Sequence, residues 1–592
     1  MLTLGGVAAA EPAAAVSAPS PQASTHVVDR WARHILRAMP LEQKVGQLFV
    51  ADVWGKSADE VHPGNQRKYG VDTPAEVVRR YHVGGVIFFN HSGTDNVDSP
   101  TQLARLSNGL QRAALSARPH IPLIVSIDQE GGRVTRIADQ ATEYPSAMAL
   151  GAGRSADNAR TAAEINGNEL RAMGVNQNFA PVADVNSNPL NPIIGSRSFS
   201  ADPGLAGELV AAQVRGLQGG GRPTETVSAS AKHFPGHGDA AADSHVELPE
   251  IKRTEEEWRR IDLPPFEAAI AAGIDSIMTA HITVPSLDPS GNPATLSKPI
   301  MTGILREELG YDGVVVTDSL QMQGVREMHP DSEIPVLALE AGVDQMLMPP
   351  DLDVAINGVL DAVRSGRLSE ERIDQSVLRV LKLKWKRGIL VKPLASERSV
   401  PRHVGTAEHR ATIQRITDRA PTVLRNDAGV LPATNPGKVL VTGWNRPEYP
   451  GYPADPVAAL ATHLGRSATA LPTGTSPSGA AIERAVAAAK ESDLVVVLTN
   501  NLRTGASQRN LLTALLGTGK PVVAVAVQEP YDPGYVDAPT WVATYDWRAV
   551  SMAALAKVLT GAAAPQGKLP VTVPDGTDPG TVRYPFGHGL SW

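Results

Sequence analysis

Lys232-His233-Phe234-Pro235-Gly236-His237-Gly238-Asp239-Ala240-Ala241-Ala242-Asp243-Ser244-His245 is the most informative stretch of the sequence. It contains three histidines and two aspartates, and its proline and glycines interrupt any helix. The residues before it, 227–231, are small or β-branched, which is typical of a buried strand. Parallel α/β folds place their chemistry in loops at the carboxyl ends of strands. The stretch is therefore predicted to be an active-site loop.

Short apolar segments alternate with amphipathic segments on both sides of this loop. Eight of them are predicted to be strands: 48–54, 83–90, 123–128, 177–182, 227–232, 276–282, 314–318 and 345–348. The helical patterns include 101–117, 156–173, 205–217, 255–272, 300–309, 355–363 and 370–387. This α/β alternation predicts an N-terminal (β/α)₈ TIM-type barrel. A doubly wound open sheet is the alternative, because the number of strands does not show closure.

A smaller C-terminal α/β domain is predicted after the barrel. Its strands are 439–442, 494–498, 522–527 and 541–545, and its helices are 480–490 and 552–559. Its glycines do not form a dinucleotide-binding fingerprint, so no cofactor is predicted. We divide the chain into a leader (1–28), a barrel catalytic domain (29–390), a linker (391–418) and a C-terminal α/β domain (419–592).

The composition excludes several classes of protein. The 592-residue chain has no cysteine, which excludes disulfides, thiolate nucleophiles and cysteine-ligated zinc. A formal net charge of -7 and the absence of a Lys/Arg-rich block argue against nucleic acid as a partner. No apolar run is long enough to span a bilayer, so no membrane span is predicted. We expect a monomer.

The first residues of the chain bear on its location. Residues 1–10 resemble the end of a secretory h-region with a small-residue cleavage site, but they lack a positive n-region. They are either a truncated signal peptide or a disordered leader. Residues 11–24 are rich in Ala, Pro and Ser, as is common before the first domain of a secreted protein. We therefore predict a secreted or cell-envelope protein, with the cytoplasm as the alternative.

Asp318 is the first catalytic candidate. It ends the apolar strand 314–318 and stands between Thr317 and Ser319. A carboxylate at this position could cap the next helix. It could equally be the nucleophile of a retaining glycosidase, which needs a rigid strand end facing the anomeric carbon of a sugar. The position alone leaves both interpretations open.

Asp243 and His245 form the second candidate pair. Residues two apart in an extended segment point to the same side, so the carboxylate could accept a hydrogen bond from one imidazole nitrogen. The other nitrogen would then be available for proton transfer. The alternative is a solvated loop in which both side chains pair with the backbone. No metal site is predicted, because proline and glycine prevent His233 and His237 from lying one turn apart on a helix.

Charged residues also end other predicted strands. Lys232 ends an otherwise apolar strand, Asp128 ends the third, and Arg197 follows Gly195-Ser196 without an obvious helical partner. Charged side chains with several donors suit a polyhydroxylated ligand. Each of these residues, considered alone, could instead belong to a surface salt bridge.

Three motifs taken together carry a resemblance to a known family. They are the 232–245 stretch, Ile127-Asp128-Gln129-Glu130-Gly131-Gly132-Arg133 and Thr317-Asp318-Ser319. Together they resemble the β-N-acetylglucosaminidases of glycoside hydrolase family three over about residues 45–350. Two C-terminal segments look like the signature of the same family: Gly567-Lys568-Leu569-Pro570-Val571 and Tyr584-Pro585-Phe586-Gly587-His588-Gly589-Leu590-Ser591.

The resemblance implies a retaining double displacement. Asp318 would be the nucleophile, and His245, oriented by Asp243, would protonate the leaving oxygen and then deprotonate water. Four residues match the family's contacts to the hydroxyls of the terminal sugar: Asp128, Arg197, Lys232 and His233. The Asp-Ser-His form of the family accompanies a 2-acetamido group, so terminal GlcNAc of cell-wall muropeptide fragments or chitin oligosaccharides is the implied substrate. No cofactor or metal is implied.

Three alternatives remain open. A β-glucosidase of the same family would take its acid from the second domain, where Glu529 is a candidate, although the intact 243–245 motif makes a second acid redundant. A β-N-acetylglucosaminide phosphorylase would use phosphate in place of water, since a neutral histidine repels no anion. A non-catalytic sugar-binding protein is expected to lack Asp318 or His245, and both are present.

Overall fold

The N-terminal half of the protein is a closed barrel of eight parallel strands. The structure is a computed structural model, and it describes residues 21–138, 140–446 and 455–592. The barrel strands are β1 (Phe49–Asp52), β2 (Gly85–Phe88), β3 (Ile124–Ile127), β4 (Gln177–Asn178), β5 (Ser228–Phe234), β6 (Ser276–Thr279), β7 (Val314–Ser319) and β8 (Gln345–Leu347). Strand β8 pairs with β1, with Phe49 opposite Met346, and this pairing closes the sheet. The predicted barrel is confirmed, and the open sheet is excluded.

Helices surround the barrel on its outside. They are α1 (Pro21–Arg37), α2 (Leu41–Gly46), α3 (Pro63–Tyr69), α4 (Pro74–Tyr81), α5 (Pro100–Leu115), α6 (Ala147–Gly153), α7 (Ala156–Ala172), α8 (Pro203–Gly219), α9 (Glu255–Ile261), α10 (Pro264–Ala271), α11 (Gln323–Arg326), α12 (Ile334–Ala341), α13 (Leu352–Arg364) and α14 (Glu370–Lys386). Several begin at sharply defined positions. In α4 and α5, proline at the first turn is combined with a reciprocal capping box, Thr73 with Glu76 and Ser99 with Gln102.

Three sequence predictions for this half differ from the structure. The predicted helix 255–272 is two helices, α9 and α10, because Pro264 and Pro265 cannot continue the hydrogen-bond ladder of α9. The predicted helix 300–309 is a π-helix, Pro299–Glu308. The predicted leader 1–28 overlaps the start of α1 at Pro21, and residues 1–20 lie outside the described residues.

The barrel interior is packed with apolar side chains. Six buried residues from the strands and their ends form the inner cluster: Val50, Ile87, Phe179, Met278, Val316 and Leu347. Filling of this kind makes a TIM-type barrel a solid core rather than a pore. No ligand can pass through this layer, and TIM-type barrels place their active sites above it, at the carboxyl ends of the strands.

The second domain follows a segment that contains helices. The predicted linker 391–418 includes α15 (Val400–His403) and α16 (Ala407–Thr417). The strands that follow are β9 (Thr422–Asn426), β10 (Val439–Gly443), β11 (Ala468–Pro472), β12 (Leu494–Thr499), β13 (Val522–Ala526), β14 (Thr540–Ala543), β15 (Val573–Pro574) and β16 (Val582–Tyr584). The helices are α17 (Pro456–Leu464), α18 (Gly479–Lys490), α19 (Ala506–Leu516) and α20 (Ala549–Thr560).

One open six-stranded sheet organises this smaller domain. The strand order is β11-β10-β12-β13-β14-β9, and only β9 runs antiparallel to its neighbour. The sequence predicted the four central strands and missed the two edge strands. β11 was not predicted because its side chains are largely exposed, so it lacks the apolar run of a buried strand. Among the described helices of the whole protein, none combines the length and apolarity needed to cross a membrane.

Lys384 in α14 is buried without an acidic partner, which predicts a measurable stability effect. Its side chain is fully buried, its Nζ donates to Gln47 Oε1 at 2.7 Å, and burial lowers its pKa to about 7. In the unfolded chain the pKa returns to about 10.4, so folding at pH 7 works against the charged form. Lys384→Met should therefore raise the free energy of unfolding by about 2 kcal/mol at pH 7, after allowing for the lost hydrogen bond.

Denaturant unfolding at several pH values checks this expectation. The advantage of Lys384→Met should be largest at and below pH 7, should shrink as the pH rises from 7, and should be lost only above about pH 10.4, where the lysine is neutral in both states. Lys382→Met on the same helix is the control, because its side chain is 42% exposed and its loss should matter by less than about 1 kcal/mol. A destabilised Lys384→Met at every pH would contradict the prediction.

Candidate active site

A cavity of about 470 Å³ opens at the carboxyl ends of the barrel strands. Ile87, Met278 and Leu347 of the inner cluster also line it and form its floor. Six of the seven sequence-predicted site residues line the same cavity: Asp128, Arg197, Lys232, His233, His245 and Asp318. The seventh, Asp243, is hydrogen-bonded to His245. The structure therefore brings all seven together, while their chemical roles stay predictions.

Asp318 lies at the end of β7, between two histidines. Its Oδ1 accepts the Ser319 N–H at 2.7 Å, and its Oδ2 is 4.0 Å from His233 Nε2. Burial acts to raise the pKa of Asp318, but the neighbouring His233 and His281 and the Ser319 amide outweigh it and lower the pKa below its ordinary value. The lowered pKa favours the ionised carboxylate, which is the form that the predicted nucleophile would need. The backbone N–H that donates to Oδ1 belongs to the next residue, Ser319, and not to the first turn of a helix.

Two buried residues that sequence reasoning did not assign, Asp184 and His281, lie close to Asp318 or to its neighbour His233. Asp184, in the loop after β4, accepts from the His233 N–H at 3.1 Å through Oδ1, and its Oδ2 lies 2.7 Å from His233 Nδ1. His281, after β6, places its Nε2 3.0 Å from the Ser319 carbonyl oxygen and its Nδ1 2.8 Å from Thr295 Oγ1. Asp184 thereby fixes the ring of His233 and directs its Nε2 towards Asp318.

A network of alternating charges forms one wall of the cavity. Lys232 Nζ lies 2.8 Å from Asp128 Oδ1 and 2.7 Å from Glu130 Oε1. Arg197 donates from Nε and Nη2 to both oxygens of Glu130, at 2.9 Å each. Burial opposes ionisation of Glu130, but Arg197 and Lys232 outweigh it and hold its pKa well below the usual range. Glu130, which we did not predict as a site residue, is therefore the buried counter-ion that orients both cations.

His245 lies on the solvent side of the cavity with Asp243. His245 Nδ1 is 2.7 Å from Asp243 Oδ1, and the same oxygen accepts the His245 backbone N–H at 2.9 Å. Burial acts to raise the pKa of Asp243, but these hydrogen bonds lower it below its ordinary value. The side chain of His245 is 57% exposed, so its Nε2 can meet a group that enters from solvent. The pair thus has the arrangement expected of a carboxylate-oriented proton donor.

The loop that carries His245 is held by hydrogen bonds on two sides, at Ser244 and His245. His237 Nε2 lies 3.0 Å from Ser244 Oγ, and burial lowers the pKa of His237 to about 4, so this contact is made by a neutral ring. On the other side, the Gly324 N–H donates to the Ser244 carbonyl at 3.1 Å and the Gln323 N–H donates to the His245 carbonyl at 3.3 Å. These last bonds tie the loop to the segment that follows Asp318.

Gly324 leaves no room for a side chain in this contact. A Cβ there would lie 2.9 Å from the carbonyl oxygens of both Ser244 and Glu247, too close for a real contact with backbone. Gly324→Ala is therefore expected to push the His245 loop away and lower kcat/KM by about tenfold on substrates that need protonation. Steady-state kinetics on a disaccharide and on an activated aryl glycoside will measure this, with a smaller loss on the latter.

The matched control is Gly303→Ala in the π-helix, where a Cβ meets no atom within 4 Å. This variant should keep the parental activity on both substrates. Equal kinetics for the two alanine variants would contradict the loop contact.

Glu529 does not line the cavity, although it comes close to it from the second domain. Its Oε1 accepts the Ser196 N–H at 3.3 Å and lies 3.8 Å from Arg133 Nη1. Gln528 Nε2 donates to both of its oxygens at 2.7 Å. These contacts make Glu529 part of the domain interface. Over the described part of the chain, no three His, Asp or Glu side chains are grouped so as to hold a metal ion.

Comparison with known proteins places both domains. The description "Glycosyl hydrolase family 3 N terminal domain" matches residues 40–383, and "Glycosyl hydrolase family 3 C-terminal domain" matches residues 421–592. Beta-hexosaminidase A of Pseudoalteromonas piscicida is 36% identical over 430 residues, covering 67% of this chain and 69% of that protein. A beta-N-acetylglucosaminidase/beta-glucosidase of Cellulomonas fimi is 30% identical over 413 residues, covering 68% of each.

A solved structure extends the similarity to nearly the whole molecule. A glycoside hydrolase family 3 beta-N-acetylglucosaminidase from Paenibacillus sp. str. FPU-7 superimposes with a TM-score of 0.80 at 36% identity, covering 90% of this chain and 99% of that chain. At this coverage the match includes most of the barrel and most of the smaller domain. Since the N-terminal family description alone covers more than half of the sequence, this chain belongs to glycosyl hydrolase family 3 and is a glycoside hydrolase.

Proposed function

We propose that the protein is a retaining exo-β-N-acetylglucosaminidase that removes terminal GlcNAc by double displacement. The observation that carries this proposal is that one cavity is lined both by Asp318, whose pKa is lowered, and by His245, which is hydrogen-bonded to Asp243. The names of the Pseudoalteromonas, Cellulomonas and Paenibacillus relatives support an acetamido sugar as the substrate.

In the first step, Asp318 attacks the anomeric carbon and the bond from that carbon to the leaving oxygen breaks. His245 gives the leaving oxygen a proton from Nε2 while its Nδ1–H stays hydrogen-bonded to Asp243. In the second step, His245 takes a proton from water, whose oxygen attacks the anomeric carbon and releases Asp318. A histidine can serve here because, when neutral, it adds no negative charge near the nucleophile.

The charged wall of the cavity supports recognition of a chain end. The side chains of Lys232 and Arg197 are only 3% and 10% exposed, so the terminal sugar would meet them at the closed inner end. Asp128, Lys232, Arg197 and His233 offer acceptors and donors that suit its hydroxyl groups. With His245 at the open side, the scissile oxygen would lie between the inner sugar and solvent.

We further propose cell-wall muropeptide fragments or chitin oligosaccharides as substrates, and a monomer that is secreted or in the cell envelope. Terminal GlcNAc is common to both substrate classes, and the cavity contacts described above concern that terminal sugar only. The alanine-rich start of the sequence is what supports export.

The first test compares matched aryl β-N-acetylglucosaminide and aryl β-glucoside, each with and without inorganic phosphate, with Asp318→Asn as the blank. The proposal expects preference for the acetamido sugar and release of free GlcNAc at a rate that phosphate does not change. Preference for the glucoside would contradict the specificity. A phosphate-dependent rate with a sugar phosphate as product would contradict hydrolysis.

A further inference from the structure

The loop after β4, residues 183–202, is held by the second domain at three places. We call this segment the β4 loop; it contains Asp184 and Arg197. Its contacts to the second domain are Asn186 Nδ2 to Tyr531 OH at 2.8 Å, Ser196 N–H to Glu529 Oε1 at 3.3 Å, and Ser200 Oγ to the Pro570 carbonyl at 2.7 Å. The residues between these contacts belong to the barrel domain, yet partners on another domain fix them.

Two of the three contacts converge on the short turn Gly195–Arg197. Glu529 accepts the backbone N–H of Ser196 directly. Tyr531 acts through Asn186, which donates to the Tyr531 hydroxyl while its Oδ1 accepts the Gly195 N–H at 3.1 Å. The second domain therefore reaches two consecutive amides of this turn, that of Ser196 directly and that of Gly195 through Asn186.

Glu529 is seated directly on this turn. Gly195 has φ +50, and a Cβ there would lie 2.4 Å from Glu529 Oε1, so only glycine allows the carboxylate so close. The same turn contains Arg197, whose guanidinium is hydrogen-bonded to Glu130, and Glu130 also pairs with Lys232. Any movement of Glu529 or Tyr531 would thus be passed to a cation that lines the sugar cavity.

We propose that the second domain is a clamp that positions Arg197 for the terminal sugar, with Glu529 and Tyr531 as positioning residues. This inference rests on the proposed function, because it takes Arg197 to be a sugar contact. It gives the second domain a role in substrate affinity and gives Glu529 a role other than proton donor.

Steady-state kinetics of the full-length chain on its better aryl glycoside tests the clamp. Glu529→Ala should raise KM about tenfold and change kcat less than about twofold, because one hydrogen bond to a charged acceptor is lost and the chemistry is untouched. Tyr531→Phe should raise KM about threefold. Glu529→Gln should stay near the parent, since its amide oxygen can still accept the Ser196 N–H. Asp537→Ala, an exposed residue of the same domain paired with Arg425 and Arg583, is the control and should change neither constant.

Arg197→Ala in the same series separates the clamp from the proposed function. If Arg197→Ala raises KM while Glu529→Ala and Tyr531→Phe do not, the clamp is overturned and the sugar contact stands. If Arg197→Ala also leaves KM unchanged, both are overturned. A kcat loss in Glu529→Gln as large as in Glu529→Ala, and larger on poor leaving groups, would overturn the clamp by showing Glu529 to be an acid.

Discussion

Asp318→Asn is expected to lower kcat by about 10⁴-fold or more on every glycoside tested. The amide is nearly isosteric with the carboxylate, but it cannot form the glycosyl ester that divides the reaction into two steps. The remaining network should survive, because Asp318 accepts the Ser319 amide through one oxygen only and an amide oxygen can replace it. Initial rates on the aryl and the natural substrates, with mass spectrometry of denaturant-quenched parent and variant, will measure the loss and the missing intermediate.

Asp361→Asn on α13 provides the matched control for that change. Its side chain is 75% exposed and lies away from the cavity lining, so its kinetics should equal those of the parent. Residual activity above about 1% of the parent in Asp318→Asn, with contamination excluded, would mean that another group is the nucleophile.

His245→Ala is expected to separate substrates by the quality of their leaving group. Removal of a general acid costs about 10²- to 10⁴-fold where the leaving oxygen must be protonated. On a disaccharide we expect kcat/KM to fall about 10³-fold. On an aryl glycoside with an acidic phenol the fall should be less than about tenfold, because the phenolate leaves without a proton. The slope of kcat/KM against phenol pKa across an aryl series is the measurement.

Azide gives a second readout on the same variant. An anionic nucleophile needs no general base, so azide should speed turnover of the activated substrate by His245→Ala and yield a glycosyl azide. His403→Ala, at an exposed position of helix α15, should behave as the parent in both assays. An equal fall in kcat/KM for all leaving groups would contradict the assignment of His245 as the acid.

Much of the fold could be predicted because most barrel strands are short, apolar and followed by a polar loop. Closure of the barrel could not be predicted, because it depends on the pairing of β8 with β1, which are far apart in the sequence. Prolines marked the break between α9 and α10, but a continuous amphipathic pattern concealed it. Edge strand β11 escaped because exposed side chains give no apolar signal.

The candidate site shows the same division between local and distant information. Asp318 and the Asp243–His245 pair are recognisable from adjacent residues. Glu130 stood within a quoted motif, yet its role as a counter-ion depends on Lys232 reaching it from strand β5 and Arg197 from the loop after β4. Asp184 likewise looked like one more polar residue after a strand until the fold placed it under His233. The contact of Glu529 with Ser196 could not be predicted, because it depends on how one domain packs on the other.

The filled barrel interior has a consequence for the order of events in the proposed mechanism. Because Ile87, Met278 and Leu347 close the floor of the cavity, everything enters and departs by one mouth. The aglycone occupies that mouth and must leave before water can reach the glycosyl ester, and the freed monosaccharide leaves last. The enzyme would thus follow ping-pong order. The monosaccharide product would compete directly with incoming chain ends, so accumulated GlcNAc would act as a competitive product inhibitor.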